Sequence, residues 1–274
     1  MTDHLKLGTA QYTYLLDCSI EESLQKIKDL GFKYVELMTV PPHCWPPDLG
    51  PQDRKNLRNT MDRLGIELVA LNPTFLDLNM ASLNPGIREE SVRQIVDQIT
   101  LAHDLGAKLV VIILGKRHPL IAPPIEEVWE RYARDGVLRC VEHAEKKGVI
   151  FGIEHSPNLF VENTERMLWV LNELKSDSVK IVFDVANASM VESIEAALDR
   201  IKDHLVHVHL SDTDGKKWTH SPVGMGAIDF GAVAAKLKEV GFTGVSILET
   251  TYPQDPQWGI SSSIEKLIPL GWEM

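Results

Sequence analysis

Short apolar runs and longer amphipathic stretches take turns along this chain. Leu205-Val206-His207-Val208-His209-Leu210-Ser211-Asp212 alternates so that successive side chains point to opposite faces, as on a strand. Leu109–Leu114 is continuously apolar, as expected of a parallel strand buried on both faces. Similar runs lie at Leu5–Thr9, Tyr34–Met38, Glu67–Leu71, Val149–Glu154, Val179–Asp184 and Gly244–Glu249. Between them apolar residues recur at helical spacing, as in Leu24, Ile27 and Leu30 or Val92, Ile95, Val96, Ile99 and Ala102. Ser19 with Glu22 three residues on forms a capping box, and Asn84-Pro85, Asn163 or Thr164, Ser193 and Asp229 start other helices. Gly31, Gly65, Gly106, Gly148 and Gly241 stop helices, and Asn72-Pro73 breaks the third strand. The fourth helix is predicted from about Ile125 to Lys147 and the last over Trp258–Ile268, where Pro269 ends it.

Eight strand-then-helix units of this kind predict an α/β protein with a parallel sheet and right-handed crossovers. Their number and the length of 274 residues fit a closed (β/α)₈ TIM barrel, one domain over 1–274. An open doubly wound sheet is the competing arrangement, but no G-x-G-x-x-G follows the first strand.

Composition narrows the function classes. Lys and Arg total 28 against 39 Asp and Glu, a formal charge of −11, with no basic run. This excludes the electrostatic footprint of a nucleic-acid binder and the basic face of a membrane-surface protein. Cys18, Cys44 and Cys140 are widely spaced and odd in number, which suits free thiols in a reducing compartment. Met1–Lys6 carries no apolar signal core, and no apolar run approaches the ~18 residues of a membrane span. The expectation is a cytoplasmic protein with a small-molecule partner.

Four consecutive strands share one grammar: an apolar run that stops at a residue able to bind a cation. Strands five to eight end at Glu154, Asp184, His209 and Glu249. In a (β/α)₈ barrel these ends meet at the mouth, where active sites lie. A single acidic strand end is ordinarily a cap or an ion-pair partner; the set of four points to one divalent metal ion. Carboxylate oxygens with one imidazole suit Mn²⁺, Mg²⁺ or Co²⁺, with Zn²⁺ possible, and the lack of thiolate argues against a structural zinc. Lys116 and Arg117 follow strand four and would hold a phosphate or carboxylate, unless they form a plain solvated loop. His207 sits deeper on the face of His209, as a buried scaffold histidine. Asp212 either orients a ligand or caps a turn. Trp258, Trp45 and Tyr12 are candidates for an apolar wall.

The segments FGIEH, IVFDVANA, VHVHLSD, VGMGAIDF and VSILET, with LAHDLGAKLVVI before them, resemble the xylose-isomerase-like barrel superfamily in its sugar-phosphate isomerase/epimerase branch. The resemblance runs essentially end to end. It implies that Glu154, Asp184, His209 and Glu249 are the metal ligands and that Glu154 and Glu249 are the acid/base pair of ketose 3-epimerases. The ion would chelate the carbonyl and neighbouring hydroxyl of a keto sugar, acidifying the adjacent C–H and stabilising the enediolate. Returning the proton to the opposite face epimerises; returning it to the next carbon isomerises. The substrate implied is a small sugar, keto-polyol or sugar phosphate. His220, in the loop Gly215–Gly226, would belong to the site wall. Asn187 stands where many relatives carry a histidine; its amide can bind a substrate hydroxyl but cannot shuttle protons. Glu36 resembles a polar position at the barrel mouth whose role stays open. A dehydratase of the inosose or dehydroshikimate kind uses the same ion and is the alternative, as is a non-catalytic metal- or sugar-binding barrel. The DNA-repair branch needs extra histidines that Leu71-Asn72-Pro73 does not supply. Relatives of this kind are commonly dimers or tetramers, so a homo-oligomer is possible.

Overall fold

The computed structural model describes residues 4–73, 77–118, 120 and 123–274. The N-terminal reading over Met1–Asp3 lies outside the described residues. Eight parallel strands form the barrel: β1 Leu5–Ala10, β2 Tyr34–Met38, β3 Glu67–Asn72, β4 Leu109–Ile112, β5 Ile150–Glu154, β6 Val179–Asp184, β7 Leu205–Leu210 and β8 Val245–Leu248. Each pairs with its sequence neighbour, and β1 closes the ring by pairing with both β2 (Thr9 beside Val35) and β8 (Thr9 beside Leu248). The closed (β/α)₈ barrel is therefore the fold. Gly8 in β1 lies so close to Tyr34 that an added Cβ would stand 2.7 Å from its carbonyl oxygen, which favours glycine on this seam.

The helices between strands are α1 Ile20–Asp29, α2 Pro51–Leu64, α3 Pro85–Leu105, α4 Ile125–Val128, α5 Arg134–Lys147, α6 Thr164–Leu174, α7 Val185–Ser189, α8 Ile194–Ile201, α9 Phe230–Glu239 and α10 Pro256–Leu267. The Ser19–Glu22 capping box forms, and Asn163 rather than Thr164 caps α6. Three features depart from the pattern-based expectation. A π-helical turn at Trp129–Ala133 separates α4 from α5, and there the Trp129 ring is buried against Phe160 and Trp169. The α7 turn starts directly at the end of β6, capped by Asp184. A ninth strand, β9 Trp272–Glu273, pairs with the start of β1 and buries Trp272 under the barrel. The first two were hidden because strong local signals ran straight through them; β9 is too short to show a period.

The main core packs helices against the outer face of the sheet. A small apolar layer of Ala70, Leu109, Val111 and Val182 forms a separate buried cluster on the strands. Among the described residues no helix is long and apolar enough to cross a membrane.

Candidate metal centre and active site

The four strand ends converge as their spacing predicts. Glu154, Asp184, His209 and Glu249 are all buried, and one ligand atom from each lies within 4.8 Å of the others. The period-2 pleat makes this possible: each terminal residue points into the barrel because its neighbours Ile153, Phe183, Val208 and Leu248 point outward into the helix layer. His209 Nδ1 lies 2.9 Å from Glu154 Oε1 and 3.3 Å from Glu249 Oε2. Asp184 uses Oδ1 to accept the Asn187 N–H at 2.6 Å, while its Oδ2 is buried without a hydrogen-bond partner.

The four buried groups perturb one another strongly. Burial, together with the charges of Glu249 and Asp184, pushes Glu154 up to about 7 despite His209. Burial and Glu249 push Asp184 up to about 6 against the pull of His220 and His209. Burial alone would lower His209, yet the surrounding Glu249, Glu36 and Glu154 hold it well above its ordinary value. Burial would raise Glu249, but His209 outweighs it and the carboxyl is lowered. Three carboxylates forced together in a buried site repel one another, and a divalent cation resolves that conflict. The orphaned Asp184 oxygen and the oxygen-rich donor set both fit such an ion.

A cavity of about 380 Å³ opens above the cluster, within the ~300–1,000 Å³ typical of small-molecule sites. It is lined by Glu154 and Glu249 and by Tyr12, Asn187, Trp218 and His220, among others. His220 Nδ1 lies 3.0 Å from Ser211 Oγ, 3.6 Å from Glu249 Oε2 and 3.7 Å from Asp184 Oδ2, so the expected loop histidine does reach the site. Asn187 is present but engaged: its Oδ1 accepts Trp218 Nε1–H at 2.7 Å and its Nδ2 donates to the His155 carbonyl at 3.0 Å. Its amide thus ties the Trp218 loop down as well as facing the cavity.

Other candidates lie apart. Lys116 is exposed and Arg117 donates to the Pro123 carbonyl at 3.2 Å; neither lines the cavity. Trp258 packs at a tilt against Tyr252, and neither residue lines the cavity. His155 packs on Phe183, and burial lowers it to about 4. Asp212 proves to be a loop clasp. Its carboxylate accepts N–H bonds from Thr213, Gly224, Gly226 and Ile228. At Gly226 an added Cβ would stand 2.3 Å from Asp212 Oδ1, so this clasp favours glycine there.

Sequence reasoning gave no part to Trp218, which closes one side of the cavity, and treated Asn72 only as a strand breaker. Asn72 Nδ2 donates to Glu36 Oε1 at 2.9 Å and to Glu249 Oε1 at 3.2 Å. The signal for Asn72 was its place at a strand end facing the same mouth.

Comparison with known proteins agrees with this architecture. The uncharacterized protein MJ1311 of Methanocaldococcus jannaschii is 29% identical over 264 residues, covering 92% of this chain and 85% of its own. The fructoselysine 3-epimerase of Shigella flexneri is 24% identical over 256 residues, covering 90% and 91%. The crystal structure of a D-tagatose 3-epimerase-like protein superposes with a TM-score of 0.84 at 26% identity, covering 97% of this chain and 98% of that one. The IOLI protein, solved with a bound zinc atom, has the same fold, with a TM-score of 0.81 at 21% identity over 97% and 98%. Homologues thus include sugar epimerases. Residues 24–270 match the family described as Xylose isomerase-like TIM barrel, and the chain belongs to that family.

Proposed function

We propose that this protein is a divalent-metal-dependent epimerase or isomerase of an unphosphorylated keto sugar or keto-polyol. The observation that carries the reading is the placement of Glu154 at the end of β5 and Glu249 directly after β8, with Asp184 and His209 from the two strands between them, under one cavity. Glu154, Asp184, His209 and Glu249 would hold the ion, which supplies Lewis acidity to a substrate carbonyl. One of the two glutamates takes the proton from the carbon beside that carbonyl, and the other returns one to the opposite face of that carbon, giving the epimer, or to the former carbonyl carbon, giving the aldose. Glu154 lies beside His209, whereas Glu249 also receives the Asn72 amide, so the two stand in different surroundings for those roles. Tyr12 and Trp218 provide flat apolar faces for the sugar's C–H groups, and Asn187 and His220 provide polar atoms for its hydroxyls. The sugar epimerases among the homologues support the reaction class.

The absence of a phosphate from the proposed substrate rests on the cavity wall. Among its described lining residues none is Lys or Arg, whereas a phosphate site ordinarily offers one or the other. The test is product analysis. Mn²⁺-loaded protein is incubated with a panel of ketoses, keto-polyols and their phosphates, and products are separated and identified by NMR. A C-epimer or aldose from a neutral ketose supports the proposal. Loss of water from the substrate assigns a dehydratase instead, and turnover confined to the phosphates overturns the substrate class.

A further inference from the structure

Beneath the four candidate ligands lies a second polar layer that the reaction does not explain. Glu36 on β2 is buried, with 1% of its surface exposed. Its Oε2 receives His209 Nε2 at 3.1 Å and His207 Nε2 at 2.9 Å. Its Oε1 receives Asn72, whose amide also reaches Glu249. Both oxygens are therefore used within the protein.

We infer that Glu36 is a positioning residue for the metal centre, acting through His209; the inference rests on the metal site proposed above. The imidazole of His209 is held between two carboxylate environments. Nε2 points down to Glu36, while Nδ1 points up to Glu154 and Glu249. A hydrogen bond donated from His209 Nε2 to Glu36 favours the neutral tautomer with its proton on Nε2 and leaves the Nδ1 lone pair for the cation. Carboxylate–histidine–metal relays of this kind fix ring orientation and raise ligand basicity. The Asn72 bridge extends the same control to Glu249, so one buried carboxylate orients two ligands from different strands.

The test uses Zn²⁺ alone, with no substrate. Its affinity is measured by competition with a chromophoric chelator, and the His209 tautomer is read by long-range ¹H–¹⁵N NMR of the Zn²⁺-loaded protein. Wild type should show Nε2 protonated and Nδ1 metal-bound. Glu36→Gln should weaken Zn²⁺ by roughly 10–100-fold, as loss of such outer partners does, and broaden or mix the His209 tautomer signals. His207→Gln, which keeps the Glu36–His209 bond, should cost far less affinity and leave the tautomer as in wild type; equal losses in both variants would reduce Glu36 to a packing element. If Glu36→Gln does not fold, Glu36→Asp keeps the charge but retracts it from His209, and an unchanged affinity there overturns the inference. Wild type that binds no Zn²⁺ removes the metal centre and this inference with it. Wild-type binding with an unaltered Glu36→Gln removes the inference alone.

Discussion

Adding Mn²⁺ to the metal-free protein should raise its melting temperature, and the rise should grow steeply with pH. An ion present at about a hundred times its Kd stabilises the folded state by ~2.7 kcal/mol. For a chain of this size ~2–4 °C per kcal/mol is expected, so the rise at pH 8 is about 5–10 °C. Protons compete for the same oxygens. Glu154 is pushed up to about 7 and Asp184 to about 6. At pH 5.5 both hold protons for most of the time, and displacing them lowers apparent affinity by roughly a hundredfold, about tenfold for each pH unit below each pKa. His209, raised well above its ordinary value, adds to the loss in the same direction. The same Mn²⁺ concentration then sits near its Kd and gives ~0.4 kcal/mol, a rise of about 1 °C. The metal-free protein should move oppositely. Its folded state binds more protons than the unfolded chain, so stability contributed by these groups is full below their unfolded values. It is lost as pH rises through about 6 for Asp184 and about 7 for Glu154. Differential scanning fluorimetry with and without Mn²⁺ from pH 5.5 to 8 measures both trends. A metal-induced rise that is the same at both ends of the range refutes the reasoning, as does an undiminished rise in Asp184→Asn.

Other consequences follow from the same geometry. Glu154→Gln and Glu249→Gln should each lower kcat by at least ~10²–10⁴, the usual contribution of a general acid or base, with weaker metal binding besides; wild-type turnover in either removes it from the proton path. Asp212→Ala strips an acceptor from four backbone N–H groups. Urea unfolding should report a loss of at least ~1–3 kcal/mol, the cost of leaving even one such donor buried and unpaired, and KM should rise because the clasped loop carries Trp218 and His220 to the cavity. Burial raises the thiols of Cys44, above its ordinary range, and Cys140, to about 12. Native protein should therefore titrate rapidly with a disulfide reagent only at Cys18, the half-buried one; fast reaction of three thiols would contradict the packing.

Most of the barrel was legible because its signals are local and repeated. Apolar runs bounded by caps and glycines fix strands and helices, and the eightfold alternation fixes the parallel ring. The four candidate ligands were legible for a related reason: each is an inward position at, or directly after, the C-terminal end of its strand, so topology brings Glu154, Asp184, His209 and Glu249 together. What pattern could not give was anything set by loop conformation or by depth. Asn187 looks like a free amide in sequence, but the loop after β7 folds Trp218 onto it. Asp212 looks equally fit for ligand orientation or turn capping, and only the return of Gly224–Ile228 decides for the turn. Lys116 and Arg117 follow a barrel strand, as phosphate ligands would, yet neither lines the described cavity, and Arg117 bonds the Pro123 carbonyl instead. Glu36 and Asn72 were visible as polar residues on inward faces; their joint role depends on contacts across the barrel, between strands far apart in sequence.

The most direct test of the central claim is solvent exchange. Metal-loaded protein is incubated with its ketose in deuterated water, and the carbon next to the carbonyl is followed by NMR. Two glutamates working under a divalent ion predict deuterium at that carbon, appearing together with the epimer or aldose, abolished by a chelator and restored by Mn²⁺. Conversion without deuterium incorporation, or incorporation that persists in the presence of chelator, would contradict the account.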